Sequence, residues 1–307
     1  MLENAVLILK QILTMFILAG VGYALFRTKK ISKEGSRAIA NILIFVSLPC
    51  VIVNGFLVER TPERVKGLLI SALLALICLL ASAFISRFVF KKDSIAVFAS
   101  TFSNPGFFGV PIIVAALGSG AVFYIAAFIA FINLGQWTYG VAIMTGKKGS
   151  LSPKKILLAP FFIATVIGLL LFFTKLPVPG VIRTGITTLA GINTALAMFS
   201  VGIYLAQTDI LPMFRNPILY KISLVRLLII PAVTILILWF VPKSYMDMKL
   251  ALFLACAAPV GSNVAVYAQL HNADYRYAVE TIIVSTLLSV ISLPLLTLIA
   301  QFLWNLF

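Results

Sequence analysis

Apolar runs about twenty residues long follow one another from end to end of this chain. They cover approximately residues 4–26, 37–57, 67–88, 94–117, 120–145, 156–174, 184–206, 218–240, 248–270 and 277–303. A hydrocarbon core roughly 30 Å thick is crossed by about 20 helical residues. A helix also satisfies its own backbone polar groups where water cannot. The runs therefore predict an all-α integral membrane protein of ten transmembrane helices, with the lipid bilayer as its surroundings. Composition points the same way: of 307 residues 62% are hydrophobic and 11% charged, against roughly 25% charged in soluble domains. The first run begins after Glu3, where a signal peptide carries Lys or Arg, and no small-residue cleavage site closes it, so it reads as the first span.

Net charge is +15. In a soluble protein that balance would suggest nucleic acid. Here the basic residues sit in short loops, and no nucleic-acid partner is expected. The loops after spans one, three, five, seven and nine hold Arg27, Lys29, Lys30, Lys33, Arg37, Arg87, Lys91, Lys92, Lys147, Lys148, Lys154, Lys155, Arg215, Lys221 and Arg276. The other loops hold about half as many, which places the odd-numbered loops in the cytoplasm and both termini outside a plasma or inner membrane. With so few carboxylates, a cationic cargo would find few counter-charges. Cys50, Cys78 and Cys256 lie inside apolar runs and form no CxxC pair, so they read as small buried residues. The single histidine, His271, cannot assemble a metal site, and no cofactor is expected. No GxxxxGK[ST], HExxH or GxSxG motif is present, and no pair of aspartates lies within spans. The chain therefore reads as neither an enzyme nor an ATP-driven pump.

The ten spans divide into two halves, residues 1–150 and 151–307, joined by a basic linker. Pro105 lies twelve residues after Asp93 in span four, and Pro259 twelve residues after Asp247 in span nine. Each proline interrupts the fourth span of its half. Because five spans is an odd number, the halves enter the membrane in opposite directions. Such inverted repeats are a common plan of secondary transporters.

Proline removes a backbone donor and clashes with the preceding turn. Asn104-Pro105 has the residue types of a helix cap and first helical position, so span four is expected to break, with Pro105 and Gly106 opening a second half-helix. Pro259, followed by Gly261, Ser262 and Asn263, is expected to open another. Half-helix N-termini carry free N–H groups and a partial positive charge suited to an anion, although Asn104 as a cap would occupy one N–H. Asn133 and Trp137, four apart, are expected to share one face of span five. Ser47 and Asn54 in span two are further candidates. Ionisable residues within spans are functional candidates by default. Lys10 and Arg226 are expected to reach outward to the interface. Glu280 is a possible site residue, with Arg276 four residues before it as a partner.

These motifs resemble the auxin efflux carrier family. The resemblance rests on Phe45-Val46-Ser47-Leu48-Pro49, on Ser103-Asn104-Pro105-Gly106-Phe107-Phe108-Gly109-Val110-Pro111, and on Arg226-Leu227-Leu228-Ile229-Ile230-Pro231. Its strongest part is Ala258-Pro259-Val260-Gly261-Ser262-Asn263, followed by Ser285-Thr286-Leu287-Leu288-Ser289 and Pro294. It implies a scaffold of spans one, two, six and seven that also forms a homodimer. Spans three to five and eight to ten would form a mobile transport domain, with spans four and nine crossing at their prolines and moving as an elevator. Bacterial relatives imply small carboxylates such as malate or malonate, and the resemblance implies that the face of Asn133 and Trp137 lines the substrate pocket. The linker of about nine residues leaves out the long regulatory loop of the plant carriers.

The expectation is a secondary active transporter, of efflux-carrier type, for small organic anions. Two other readings stay open: a Na⁺-coupled organic anion symporter of the bile-acid transporter type, and a membrane sensor that binds a small ligand without moving it.

Overall fold

The computed structural model describes residues 2–146, 157–208 and 210–306. Among these every regular element is a helix, apart from one isolated β-bridge. The first half contains α1 (Leu2–Arg27), α2 (Lys33–Phe56), α3 (Pro62–Phe90), α4 (Ser94–Thr101), α5 (Pro105–Leu117) and α6 (Ser119–Thr145). The second contains α7 (Pro160–Thr174), α8 (Gly180–Ala206), α9 (Ile210–Phe214), α10 (Pro217–Trp239), α11 (Met246–Ala257), α12 (Asn263–Leu270) and α13 (Tyr275–Leu306). Seven of these, α1, α2, α3, α6, α8, α10 and α13, are long and apolar enough to cross a membrane, and α5 and α7 are shorter apolar helices. The fourth and ninth apolar runs are each divided, into α4 with α5 and α11 with α12.

Side-chain caps set several helix starts. Thr61 Oγ1 accepts from Arg64 N–H with Pro62 in the first turn of α3, and Asp93 Oδ1 accepts from Ala96 N–H at the start of α4. Asn216 Oδ1 accepts from Ile218 N–H ahead of Pro217 in α10. Each pairing satisfies a donor that the first helical turn leaves free. One side of α3 exposes Leu69, Leu73, Leu80, Phe84 and Phe88, a continuous apolar strip at helical spacing. In water such a strip would be a large exposed patch; against lipid tails it is an ordinary outer surface.

Three prolines inside spans follow one pattern. Pro49, Pro111 and Pro231 each stand two residues beyond a five-residue π-helical turn, at Leu43–Ser47, Pro105–Gly109 and Val225–Ile229. A widened turn gives room for the ring that would otherwise clash with the carbonyl four residues back.

Helix packing joins elements of both halves. α1 packs on α8, and the second part of α2 packs on α7 and α8. α3 packs on α6 and α4, α10 and α12 pack on α13, and α1 also packs on α13 and on α5. The α1–α8 contact is close because glycines face the opposing backbone. A Cβ built on Gly202 would stand 1.9 Å from the Ala19 carbonyl oxygen, and one on Gly22 would stand 2.6 Å from Phe199 backbone atoms. Small residues allow such approach between membrane helices, where dispersion contacts and not solvent drive association.

Candidate functional site

The two breaks lie against each other. Asn104 N–H donates to the Pro259 carbonyl at 2.9 Å, and Gly261 N–H donates to the Phe102 carbonyl at 2.9 Å. Between them Ser103 and Val260 form an antiparallel bridge. Exchanging Ser103 with Val260 maps one hydrogen bond onto the other, so the crossing has a local two-fold relation. Val260 N–H is taken by Ser285 Oγ at 3.1 Å. Backbone that leaves a helix at membrane depth must find such partners. Gly261 permits the approach: a Cβ there would stand 2.8 Å from the Ser103 carbonyl oxygen and 3.1 Å from that of Phe102.

Span four breaks as its sequence predicts. Asn104 is the cap of α5, its Oδ1 accepting from Phe107 N–H at 3.2 Å with Pro105 at the first helical position. Span nine differs from expectation. Pro259 does not open a half-helix; it lies in the extended break, and α12 begins at Asn263 with Ser262 as cap residue. The pairing with Phe102 and Asn104 holds Pro259 and Gly261 extended, which delays the helix by about one turn. Much of the backbone donor capacity at the crossing is therefore spent internally. Among the described residues, the N–H groups of Gly106, Ser262 and Asn263 have no protein acceptor.

A cavity of ≈ 90 Å³ opens at this point. Asn104, Pro105, Gly106, Gly261, Ser262, Asn263 and Asn133 line it, together with Ser103, Gln136, Ile44, Leu48 and Phe161. Asn263 Nδ2 donates to Gln136 Oε1 at 2.7 Å, and Asn133 Nδ2 donates to the Ile129 carbonyl at 2.8 Å. The Ser103 hydroxyl is buried without a protein partner. Gln136, 2% exposed, went unnoticed in the sequence although it stands three residues from Asn133. Asn193 was missed as well. It is buried behind the cavity, its Nδ2 donating to the Gly106 carbonyl at 3.3 Å and its Oδ1 unpaired. A polar amide inside the seventh apolar run was the available signal.

Pro259 is at the crossing but does not line the cavity, and four further candidate residues lie elsewhere. Trp137 is not in the cavity lining; its ring meets Tyr267 edge-on at 5.7 Å. A π turn begins at Gln136 and rotates the residues beyond it, so the four-residue spacing from Asn133 no longer keeps one face. Ser47 Oγ donates to the Leu189 carbonyl at 2.9 Å. Asn54 Oδ1 accepts from Thr187 Oγ1 at 3.3 Å, beside a separate cavity that Gln11, Thr187 and Asn193 also line. Glu280 accepts from Arg276 Nε at 3.0 Å, the partner its spacing suggests, and is outside the crossing cavity.

Arg226 departs furthest from expectation. It does not reach toward the membrane surface but is 1% exposed. Its Nη1 donates to the carbonyls of Ser100 at 3.0 Å and Thr101 at 3.2 Å, and its Nη2 donates to the Cys256 carbonyl. These carbonyls end α4 and α11, the first halves of the two broken spans. Among the described residues, no three or more His, Cys, Asp or Glu side chains gather as a metal site would need.

An apolar, all-helical molecule with a polar cavity where two helices break has the build expected of a membrane transport protein. The chain belongs to the Membrane transport protein family, that of the auxin efflux carriers, whose pattern it matches twice, over residues 7–154 and 149–297. It is thus a transporter and not an enzyme, and the match in two parts, one over each half, suggests repeated halves. A protein of Rhizobium meliloti (strain 1021) named "Putative malonate transporter" is 26% identical over 299 residues, covering 91% of each chain.

Proposed function

We propose that this protein is a secondary active carrier of small aliphatic carboxylates, bound in the cavity where spans four and nine cross. The observation that carries the reading is the crossing itself: N–H groups of Gly106, Ser262 and Asn263 without protein acceptors beside an amide-lined cavity, between two helix N-termini. Each N-terminus contributes roughly half a positive charge. Asn263, Gln136 and the Ser103 hydroxyl supply polar groups of the kind a carboxylate's lone pairs accept from. At ≈ 90 Å³ the cavity is small beside the roughly 300–1,000 Å³ of drug-sized sites. That size favours a ligand of a few heavy atoms over a bicyclic aromatic acid. The 26% identical relative carries malonate in its name, which agrees with this chemistry.

In this reading the chain spans a cell membrane ten times as two inverted repeats, residues 1–150 and 151–307, with both termini outside. α1, α2, α7 and α8 serve as a dimerising scaffold. α3 to α6 and α10 to α13 move against it as one elevator-like body. The close α1–α8 packing and the α2–α7 packing support the scaffold, and α1 meets the moving body along α13 and α5. Uptake of labelled malonate into proteoliposomes of purified protein tests it. Saturable uptake, competed by other short dicarboxylates and not by indole-3-acetate, is expected. A well-folded, reconstituted protein that moved no carboxylate would refute the substrate class.

A further inference from the structure

A fully buried arginine in a membrane span is costly unless its charge is answered. Arg226 is 1% exposed, and among the described residues no carboxylate pairs with it. Its partners are carbonyls at the C-terminal ends of two half-helices: Ser100 and Thr101 from α4, and Cys256 from α11. Each helix C-terminus carries roughly −0.5 charge, so the pair presents about one negative charge at this point. In carriers built on broken helices, half-helix C-termini and unwound carbonyls are the groups that coordinate a Na⁺ ion.

We infer that Arg226 is a built-in counter-cation: its guanidinium holds the carbonyl ends of α4 and α11 where a bound Na⁺ would otherwise be required, and so frees this carrier from Na⁺. The electrostatics of the cavity depend on this arrangement, and here the inference rests on the cavity being a carboxylate site. The N-termini of α5 and α12 together supply roughly +1 charge, and the C-termini of α4 and α11 roughly −1. Without Arg226 the two nearly cancel. With it, the crossing keeps a net charge of about +1, the complement of one carboxylate. Arg226 is not in the cavity lining; it acts on the ligand through the helix ends it holds, as a positioning residue.

Thermal unfolding of detergent-purified protein without substrate reads this role independently of the cargo. Wild type is expected to unfold at the same temperature in NaCl and in choline chloride of equal ionic strength. R226Q should unfold several degrees lower and be raised again by Na⁺ but not by choline. R226K keeps one charge and should stay indifferent to Na⁺. In proteoliposomes, R226Q should lose malonate affinity on the order of tenfold in choline, and regain part of it in Na⁺. A Na⁺ requirement in wild type, or folded R226Q as indifferent to Na⁺ as wild type, overturns the inference. If R226Q yields no monodisperse protein, R226K decides, and a Na⁺ requirement there overturns it too. If wild type moves no malonate while the unfolding data behave as expected, Arg226 keeps its role and only the cargo assignment falls.

Discussion

Asn263 Nδ2 donates to Gln136 Oε1 at 2.7 Å, so one amide from each half of the chain closes a wall of the crossing cavity. The bond holds Gln136 with its own NH₂ free and fixes the turn at which α12 begins. Replacing either residue by Ala removes this bond and one group facing the ligand. Asn263→Ala and Gln136→Ala are each expected to weaken malonate binding by about 1–3 kcal/mol, or roughly 5- to 150-fold. Isothermal titration on purified variants measures this. Wild-type affinity in both would remove the amide pair from the site.

Asn104→Ala and Pro105→Ala separate capping from breaking. Asn104→Ala loses the bond from Phe107 N–H and should lower stability by about 1 kcal/mol, with weaker ligand binding. Pro105→Ala restores a donor and permits a helix across the break. It is expected to leave the protein folded while abolishing most transport. Unfolding curves and uptake, measured together, test the contrast. Pro105→Ala transporting at the wild-type rate would make the proline a kink without a role in the carrier.

Three glycines give a graded series. At Gly261 a Cβ would stand 2.8 Å from the Ser103 carbonyl oxygen, and at Gly202 it would stand 1.9 Å from that of Ala19. At Gly185 nothing lies within 4 Å. Backbone atoms cannot swing aside as side chains do, so Gly202→Ala and Gly261→Ala should each cost about 1–3 kcal/mol or more. Gly185→Ala, inside a helix with open space around it, should stabilise by up to about 1 kcal/mol. Only Gly261→Ala is expected to impair binding beyond its effect on folding. Equal unfolding temperatures for all three would contradict the close approaches.

The loop charges predict sidedness. In a background with Cys50, Cys78 and Cys256 replaced, a cysteine at Lys175 should react with an impermeant maleimide in intact cells. A cysteine at Lys30 should react only after permeabilisation. The reverse pattern would invert the orientation without touching the crossing.

Seven of the ten expected spans are helices long and apolar enough to cross a membrane, and these were legible because a crossing demands about twenty apolar residues. The break at Asn104-Pro105 was legible for a local reason, since cap and first-turn proline stand side by side. The start of α12 was not. Pro259 has the same residue type as Pro105, yet its backbone is held extended by Phe102 and Asn104, more than 150 positions away in the chain. Trp137 was misplaced because an ideal helical repeat does not run through a π turn. Arg226 was misread because Lys221, five residues earlier, suggested a path to the surface. Its true acceptors are carbonyls of α4 and α11, and carbonyls leave no trace in residue identity.

The paired breaks also bear on how the protein is made. When the first half enters the bilayer, the N–H of Asn104 and the carbonyl of Phe102 have no partner until Pro259 and Gly261 have been synthesised and inserted. Each unpaired group in hydrocarbon costs several kcal/mol. Until then those two groups need water or other protein groups as partners, or a helix that runs on through the break. The crossing joins two chain segments born far apart, and it cannot close before Gly261 has been made.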